Sequence, residues 1–272
     1  MPDNIFELKD VSFSYLKKFP ALAGVDLRVE RGAKVAVIGA NGSGKSTLLQ
    51  MLDGLIFPDK GRVFFFQDEL NEARLNDEDF SRLFRKKVGF VFQNPDTQLF
   101  CPTVREDIAF GPLQLGVTPE ATKKRLERLV DIFKIGPLLD RAPHQLSIGE
   151  KRKIAIISVL AIDPEVLLLD EPTAGLDPQT TRDIVDAILA AHEGGKTIIS
   201  ATHDLHIVEE IADTVHVFGP AKSILRSAAP AALLADAEFL KENNLAHIHR
   251  HRHQGVVHAH PHFHTEHHAD GA

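Results

Sequence analysis

The sequence predicts an α/β fold built on a mostly parallel sheet with helices on both faces. Three observations predict it. Short apolar runs at 34–38, 87–93, 166–171 and 197–203 read as buried strands. Between them lie stretches of helical periodicity, clearest at Leu126, Leu129, Val130 and Phe133, spaced i, i+3, i+4, i+7 as one buried helix face requires. The strand runs end in Gly39, Gln93, Asp170-Glu171 and His203, polar or flexible residues at the edge where parallel sheets take their ligands.

The elements follow in order. Residues 5–15 largely alternate apolar and polar, and 24–30 and 61–67 continue in strand composition,. The run 34–38 is a short buried strand, and 47–52 a helix. Gln93-Asn94-Pro95 stops the strand before it,. From 103 to 160 the pattern is helical, with Thr118-Pro119 as N-cap and first-turn proline and Gly136-Pro137 as terminator,. A further helix opens near Leu146-Ser147-Ile148-Gly149-Glu150, buries Ile154, Ile157 and Leu160, and stops at Asp163-Pro164. Asp177-Pro178 starts a helix running to about His192, which Gly194-Gly195 ends,. A short helix from Asp204, a strand at 214–218 and a helix at 230–240 complete the globular part.

Composition excludes several classes. The 272 residues are 43% hydrophobic with a formal net charge of −7, which argues against nucleic acid as a partner. The lone Cys101 allows no internal disulfide and fits a reducing compartment. No run of about 18 apolar residues spans a membrane, and the first residues lack signal-peptide character.

The chemistry starts at Gly39-Ala40-Asn41-Gly42-Ser43-Gly44-Lys45-Ser46-Thr47. This matches G-x-x-x-x-G-K-[ST], the phosphate-binding loop, in its required strand–loop–helix setting. Glycines let backbone N–H groups converge on an anion, and the helix N-terminus adds partial positive charge. Lys45 is expected on the β- and γ-phosphates, the Ser46 hydroxyl on Mg²⁺ and Thr47 near the α-phosphate. Asp170 is expected to hold the metal or its water, and Glu171 to polarise an attacking water. Tyr15, the only tyrosine, fits either a base-stacking role or an ordinary strand aromatic. Gln93 and His203 fit either a ligand edge or solvent.

In combination, the loop, Gln93, Leu146–Glu150, 166–171, Asp177 and His203 resemble the ATP-binding cassette ATPases over about residues 5–225. The resemblance implies a P-loop NTPase with a RecA-like core, an antiparallel β subdomain and an inserted α-helical subdomain. It implies that Tyr15 stacks on adenine, that Gln93 links Mg²⁺ and water to a membrane partner, and that His203 contacts the γ-phosphate. Ser147 and Gly149 resemble the signature loop, which grips ATP across a head-to-tail dimer, and Asp177 the loop that communicates between the two sites. Ile148 stands where the family usually has glycine. A β-branched residue tolerates positive φ poorly, so ordinary right-handed geometry is expected there.

The stretch 93–112 is similar to the energy-coupling-factor and cobalt/nickel importer branch. This implies an ATPase subunit at the cytoplasmic face of the membrane, a second cassette in a homodimer and a separate integral membrane permease. The expected layout is a nucleotide-binding domain at 1–225 with its helical subdomain at about 96–162, a helical extension at 226–246 and a flexible histidine-rich tail at 247–272.

That tail holds ten of the chain's 15 histidines. His247, His249, His251 and His253 alternate with other residues, as do His258, His260, His262 and His264. In an extended chain each set shares one side, and neutral imidazoles suit Ni²⁺, Co²⁺, Cu²⁺ and Zn²⁺. Three functions stay open: the motor of a nickel or cobalt importer, the motor of a vitamin importer with an incidental tail, and a metal-storing P-loop GTPase. The last reads guanine through Asn-Lys-x-Asp, and no Asn-Lys pair occurs.

Overall fold

The computed structural model describes residues 4–245, together with the backbone of 247–253 and 256–262. Two sheets organise it. The first is antiparallel, in the order β2-β1-β4-β5, from β1 (Asn4–Tyr15), β2 (Phe19–Glu30), β4 (Lys60–Phe65) and β5 (Asp68–Glu69). The second has six strands in the order β10-β9-β3-β8-β7-β6. It is formed by β3 (Lys34–Gly39), β6 (Val88–Val91), β7 (Val166–Asp170), β8 (Thr197–Thr202), β9 (Thr214–Phe218) and β10 (Ile224–Ala228). Its inner pairings are parallel, and only β10 runs antiparallel, on the edge. This is the α/β architecture expected of a P-loop NTPase.

Strand period two explains the layering. On β3, Val35 and Val37 enter one core with the antiparallel sheet and α1 (Lys45–Leu52), while Ala36 and Ile38 face the opposite side. On β7, Val166 and Leu168 join the first core, whereas Leu167 and Leu169 pack with Ile156, Ile184 and Ile188. Burial on both faces is why these strands read as unbroken apolar runs.

The helical insertion comprises α4 (Val104–Gln114), α5 (Pro119–Phe133) and α6 (Ile148–Ile162). It has its own core of Val104, Ile108, Leu126, Ile135, Leu146 and Ile154. Thr103 caps α4 in a reciprocal box with Glu106, and Ser147 caps α6 the same way with Glu150,. Ile148 opens α6 and is not among the residues at positive φ, as β-branching requires. Downstream, α7 (Pro178–Glu193) and α8 (Leu205–Ile211) flank the large sheet.

Some elements differ from the sequence reading. Two helices, α2 (Glu72–Leu75) and α3 (Glu78–Lys87), occupy a stretch with no assigned element. In α3 only Phe80 and Phe84 are buried within an otherwise charged segment. The single helix expected at 230–240 is two, α9 (Pro230–Leu234) and α10 (Ala237–Glu242), because Asp236 caps a new start by accepting from Phe239 N. The tail backbone is described at β11 (His247–His253) and β12 (Val256–His262), paired antiparallel. His264 lies outside the described residues.

Asp53 ends α1 in a buried position, where Arg85 Nη1 donates to its Oδ2 at 3.0 Å and its carbonyl at 2.9 Å. Burial outweighs this half-solvated guanidinium and pushes the carboxyl up to about 7,. Between 3.8 and about 7, the folded chain holds a proton that the unfolded chain has released. Asp53 therefore costs stability progressively as pH rises through that window. Denaturant unfolding of Asp53→Asn beside the wild type should show the wild type losing ground from pH 5 to pH 8; parallel profiles would contradict this assignment.

Candidate active site

The phosphate-binding loop runs from the end of β3 into α1. Gly44 has φ +114, and a Cβ there would strike the Ala21 carbonyl, so only glycine lets the loop close against β2. Lys45 opens α1 with its ammonium turned inward. Its Nζ donates to the Gly39 carbonyl at 2.8 Å and lies 3.7 Å from Glu171 Oε1. Burial lowers its pKa, opposed by the charges of Glu171 and Asp170. Ser46 Oγ donates to Asp170 Oδ1 at 2.9 Å, bringing together the two oxygen groups expected at a metal. Burial raises the Asp170 pKa against that hydrogen bond.

Glu171 follows β7 in the left-handed region, at φ 49, a strained setting for a non-glycine residue. Its N–H donates to the Ala201 carbonyl at 2.8 Å, anchoring it to β8. Its Oε2 lies 2.8 Å from His203 Nδ1. The carboxylate thus sits between Lys45 and His203, with the start of α1 and the residues just past β7 and β8 meeting at a common edge.

The remaining expected residues fall around this centre. Tyr15 ends β1 half-exposed, its hydroxyl 3.2 Å from Thr47 Oγ1 and donating to Gln50 Oε1 at 3.2 Å. It lines a pocket of about 240 Å³ with Phe19, Gly42, Gly44 and Ser46. Asn41 and Gly42 are exposed on the loop. Gln93 is exposed just past β6, and among the described residues no hydrogen bond joins it to Ser46 or Asp170. Ser147 caps α6, and Gly149 lets that helix approach α7, since a Cβ there would lie 3.0 Å from Thr180 Cγ2. Asp177 caps α7, accepting from Thr180 N at 3.0 Å and Thr180 Oγ1 at 2.6 Å. Ser147, Gly149 and Asp177 therefore gather at their own locus, and no hydrogen bond joins them to Lys45 or Ser46 among the described residues.

These residues fit a magnesium nucleotide. The hydroxyl of Ser46 and the carboxylate of Asp170 are hard oxygen donors of the kind Mg²⁺ takes. The Ser43 hydroxyl is buried without a hydrogen-bond partner, inside the loop whose backbone would face phosphate. Elsewhere, no group of three or more His, Cys, Asp or Glu side chains is placed to hold a metal among the described residues.

Three contributors escaped the sequence reading. Arg152, buried on α6, donates from Nη1 to the Glu171 carbonyl. Burial lowers its pKa, while the charges of Glu171 and Asp170 oppose that. Gln98 accepts from Phe92 N at 3.2 Å and donates to the Ala155 carbonyl at 2.9 Å, pinning the Gln93 loop to α6. Lys222 reaches the Gly42 carbonyl at 2.5 Å. In sequence, Arg152 is the middle of three consecutive basic residues, Lys151, Arg152 and Lys153; its burial is set by the fold.

Arg152 holds the backbone of Glu171 and so positions its carboxylate. Arg152→Met should lower kcat for ATP hydrolysis by roughly 10- to 100-fold with KM little changed, and Arg152→Lys should recover part of the loss. Steady-state kinetics in which Met and Lys behave alike, or in which only KM moves, would contradict that positioning role.

Comparison with known proteins agrees with this geometry. The family model described as ABC transporter matches residues 22–174. The chain is 50% identical to the nickel import ATP-binding protein NikO of Rhodobacter capsulatus over 244 residues, covering 88% of this chain and 95% of that one. It is 41% identical to the energy-coupling factor transporter ATP-binding protein EcfA of Methanothermobacter thermautotrophicus, covering 89% of this chain and 76% of that one. Among solved structures, cbiO1 of Clostridium perfringens, part of the ABC transporter complex cbiONQ, superposes with a TM-score of 0.75 at 34% identity, covering 89% of this chain and 95% of that one. The GTPase reading thereby loses its footing. With the family model spanning more than half of the chain and relatives matching most of its length, this chain belongs to the ABC transporter family, as an ATP-binding, ATP-hydrolysing subunit.

Proposed function

We propose that this subunit powers import of a divalent transition metal, nickel or cobalt, through a separate membrane permease. The observation that carries the reading is the 50% identity to a nickel import subunit across 88% of this chain. The histidine-rich stretch after residue 246, with its capacity for Ni²⁺ or Co²⁺, supports the same cargo. The similarity to EcfA favours a second reading, a vitamin or other small nutrient as cargo.

Bound MgATP supplies the phosphoryl group and the metal charge that polarises it. The protein's part is positioning and charge. Lys45 and the loop N–H groups hold phosphate, and Ser46 and Asp170 hold the metal. Glu171 orients and deprotonates water while His203 fixes the carboxylate. Tyr15 stacks on the base. Ser147 and Gly149 would complete the site of a second copy, with Asp177 beside them, so a homodimer forms two sites. A groove of about 300 Å³, lined by Phe90, Phe92, Phe100, Phe110 and Gln98, suits an apolar coupling segment of the permease. No helix among the described residues is long and apolar enough to cross a membrane, in keeping with attachment to its cytoplasmic face through that partner.

Glu171→Gln should abolish most hydrolysis while ATP binding persists. Cells expressing that variant should lose uptake of radioactive Ni²⁺ or Co²⁺. Undiminished turnover would overturn the role of Glu171. Metal uptake equal to wild type, with loss of vitamin uptake instead, would replace the metal cargo with the nutrient one.

A further inference from the structure

The turn between β9 and β10 carries a lysine where its geometry favours glycine. Lys222 N donates to the Gly219 carbonyl at 3.0 Å, and Gly219 N to the Ser223 carbonyl at 3.1 Å. These bonds close a three-residue hairpin loop, a tight turn followed by one residue in the left-handed region. That residue is Lys222, at φ 64. Glycine takes such a position at no steric cost, whereas a residue with a Cβ is strained there. Strain of this kind persists where a contact elsewhere compensates for it.

The contact is on the phosphate-binding loop. Lys222 Nζ donates to the Gly42 carbonyl at 2.5 Å, a charge-assisted hydrogen bond. The lysine backbone is tied to the same region, because its carbonyl accepts from Ala23 N at 2.9 Å. Ala23 lies on β2 two residues beyond Ala21, the residue whose carbonyl Gly44 approaches. At the start of the turn, a Cβ on Gly39 would lie 2.7 Å from the Phe218 carbonyl. The hairpin therefore backs the loop at Gly39 and holds it at Gly42.

The group it holds is one the loop must orient. Gly42 has φ +77, and a glycine can leave that conformation for negative φ without a clash. In a trans peptide the carbonyl and the following N–H point in opposite directions. With the Gly42 carbonyl drawn out to Lys222, the Ser43 N–H turns back into the loop, where it meets the Ala40 carbonyl at 3.1 Å. A loop whose N–H groups turn inward is the arrangement that binds an anion.

We propose that Lys222 is a positioning residue for nucleotide binding, clamping the Gly42–Ser43 peptide so that the loop is formed before phosphate arrives. The clamp serves ATP and ADP alike and is independent of the cargo that the transporter moves.

Equilibrium binding of MgADP to the full chain tests the clamp, with thermal unfolding of the same variants beside it. Lys222→Met should bind MgADP about 10-fold more weakly than the wild type. Lys222→Arg keeps a charged donor and should recover most of the loss. Lys222→Gly removes the ammonium and the backbone strain together. It should lose as much affinity as Lys222→Met yet unfold at a higher temperature than that variant. Affinity that follows unfolding temperature across these variants would overturn the clamp. So would a Lys222→Met chain that binds MgADP as the wild type does while Lys45→Ala does not. Binding retained in Lys45→Ala as well would overturn the phosphate site together with its clamp.

Discussion

One buried charge governs the cassette. The Lys45 ammonium lies inside the protein, where an unmatched cation is costly. Its neighbours are the Gly39 carbonyl and, at 3.7 Å, the Glu171 carboxylate. These contacts require β3 and β7 to end at the same level, with β8 between them, and they require the loop to wrap the lysine instead of letting it reach water. Phosphate is the natural third partner, since it brings negative charge to a site already short of solvent. The parallel sheet, the glycine-dependent turn at Gly44 and the strained backbone at Glu171 all serve that one arrangement.

A second constraint runs through α6. Its first turn presents Ser147 and Gly149, which would serve the nucleotide of a second copy, and one turn later Arg152 grips the Glu171 carbonyl of its own chain. Gly149 also seats α6 against Thr180, the residue that Asp177 caps. Arg152 therefore ties α6 to the backbone of the local carboxylate. The helical insertion that carries α6 has a core of its own.

Much of this was legible in the sequence, for physical reasons. The central strands are buried on both faces, so Leu167-Leu168-Leu169 stands out without any alignment. The phosphate loop is local chemistry, written in consecutive residues. The helix starts at Thr103, Ser147 and Asp177 carry their caps in sequence. What escaped depends on long-range packing. Lys222 meets Gly42 across 180 positions, and Arg152 is one basic residue among three until its Nη1 meets the Glu171 carbonyl. Helix α3 hides because Phe80 and Phe84 are its only buried side chains.

The central claim is that the site at Lys45 is half of an ATP site, completed by Ser147 and Gly149 of a second chain. Sedimentation velocity on the Glu171→Gln chain, with and without MgATP, tests it most directly. The account predicts monomer without nucleotide, dimer with it, and loss of the dimer when Ser147→Arg is added while ATP still binds. A chain saturated with ATP that stays monomeric, or a dimer indifferent to Ser147, would contradict it.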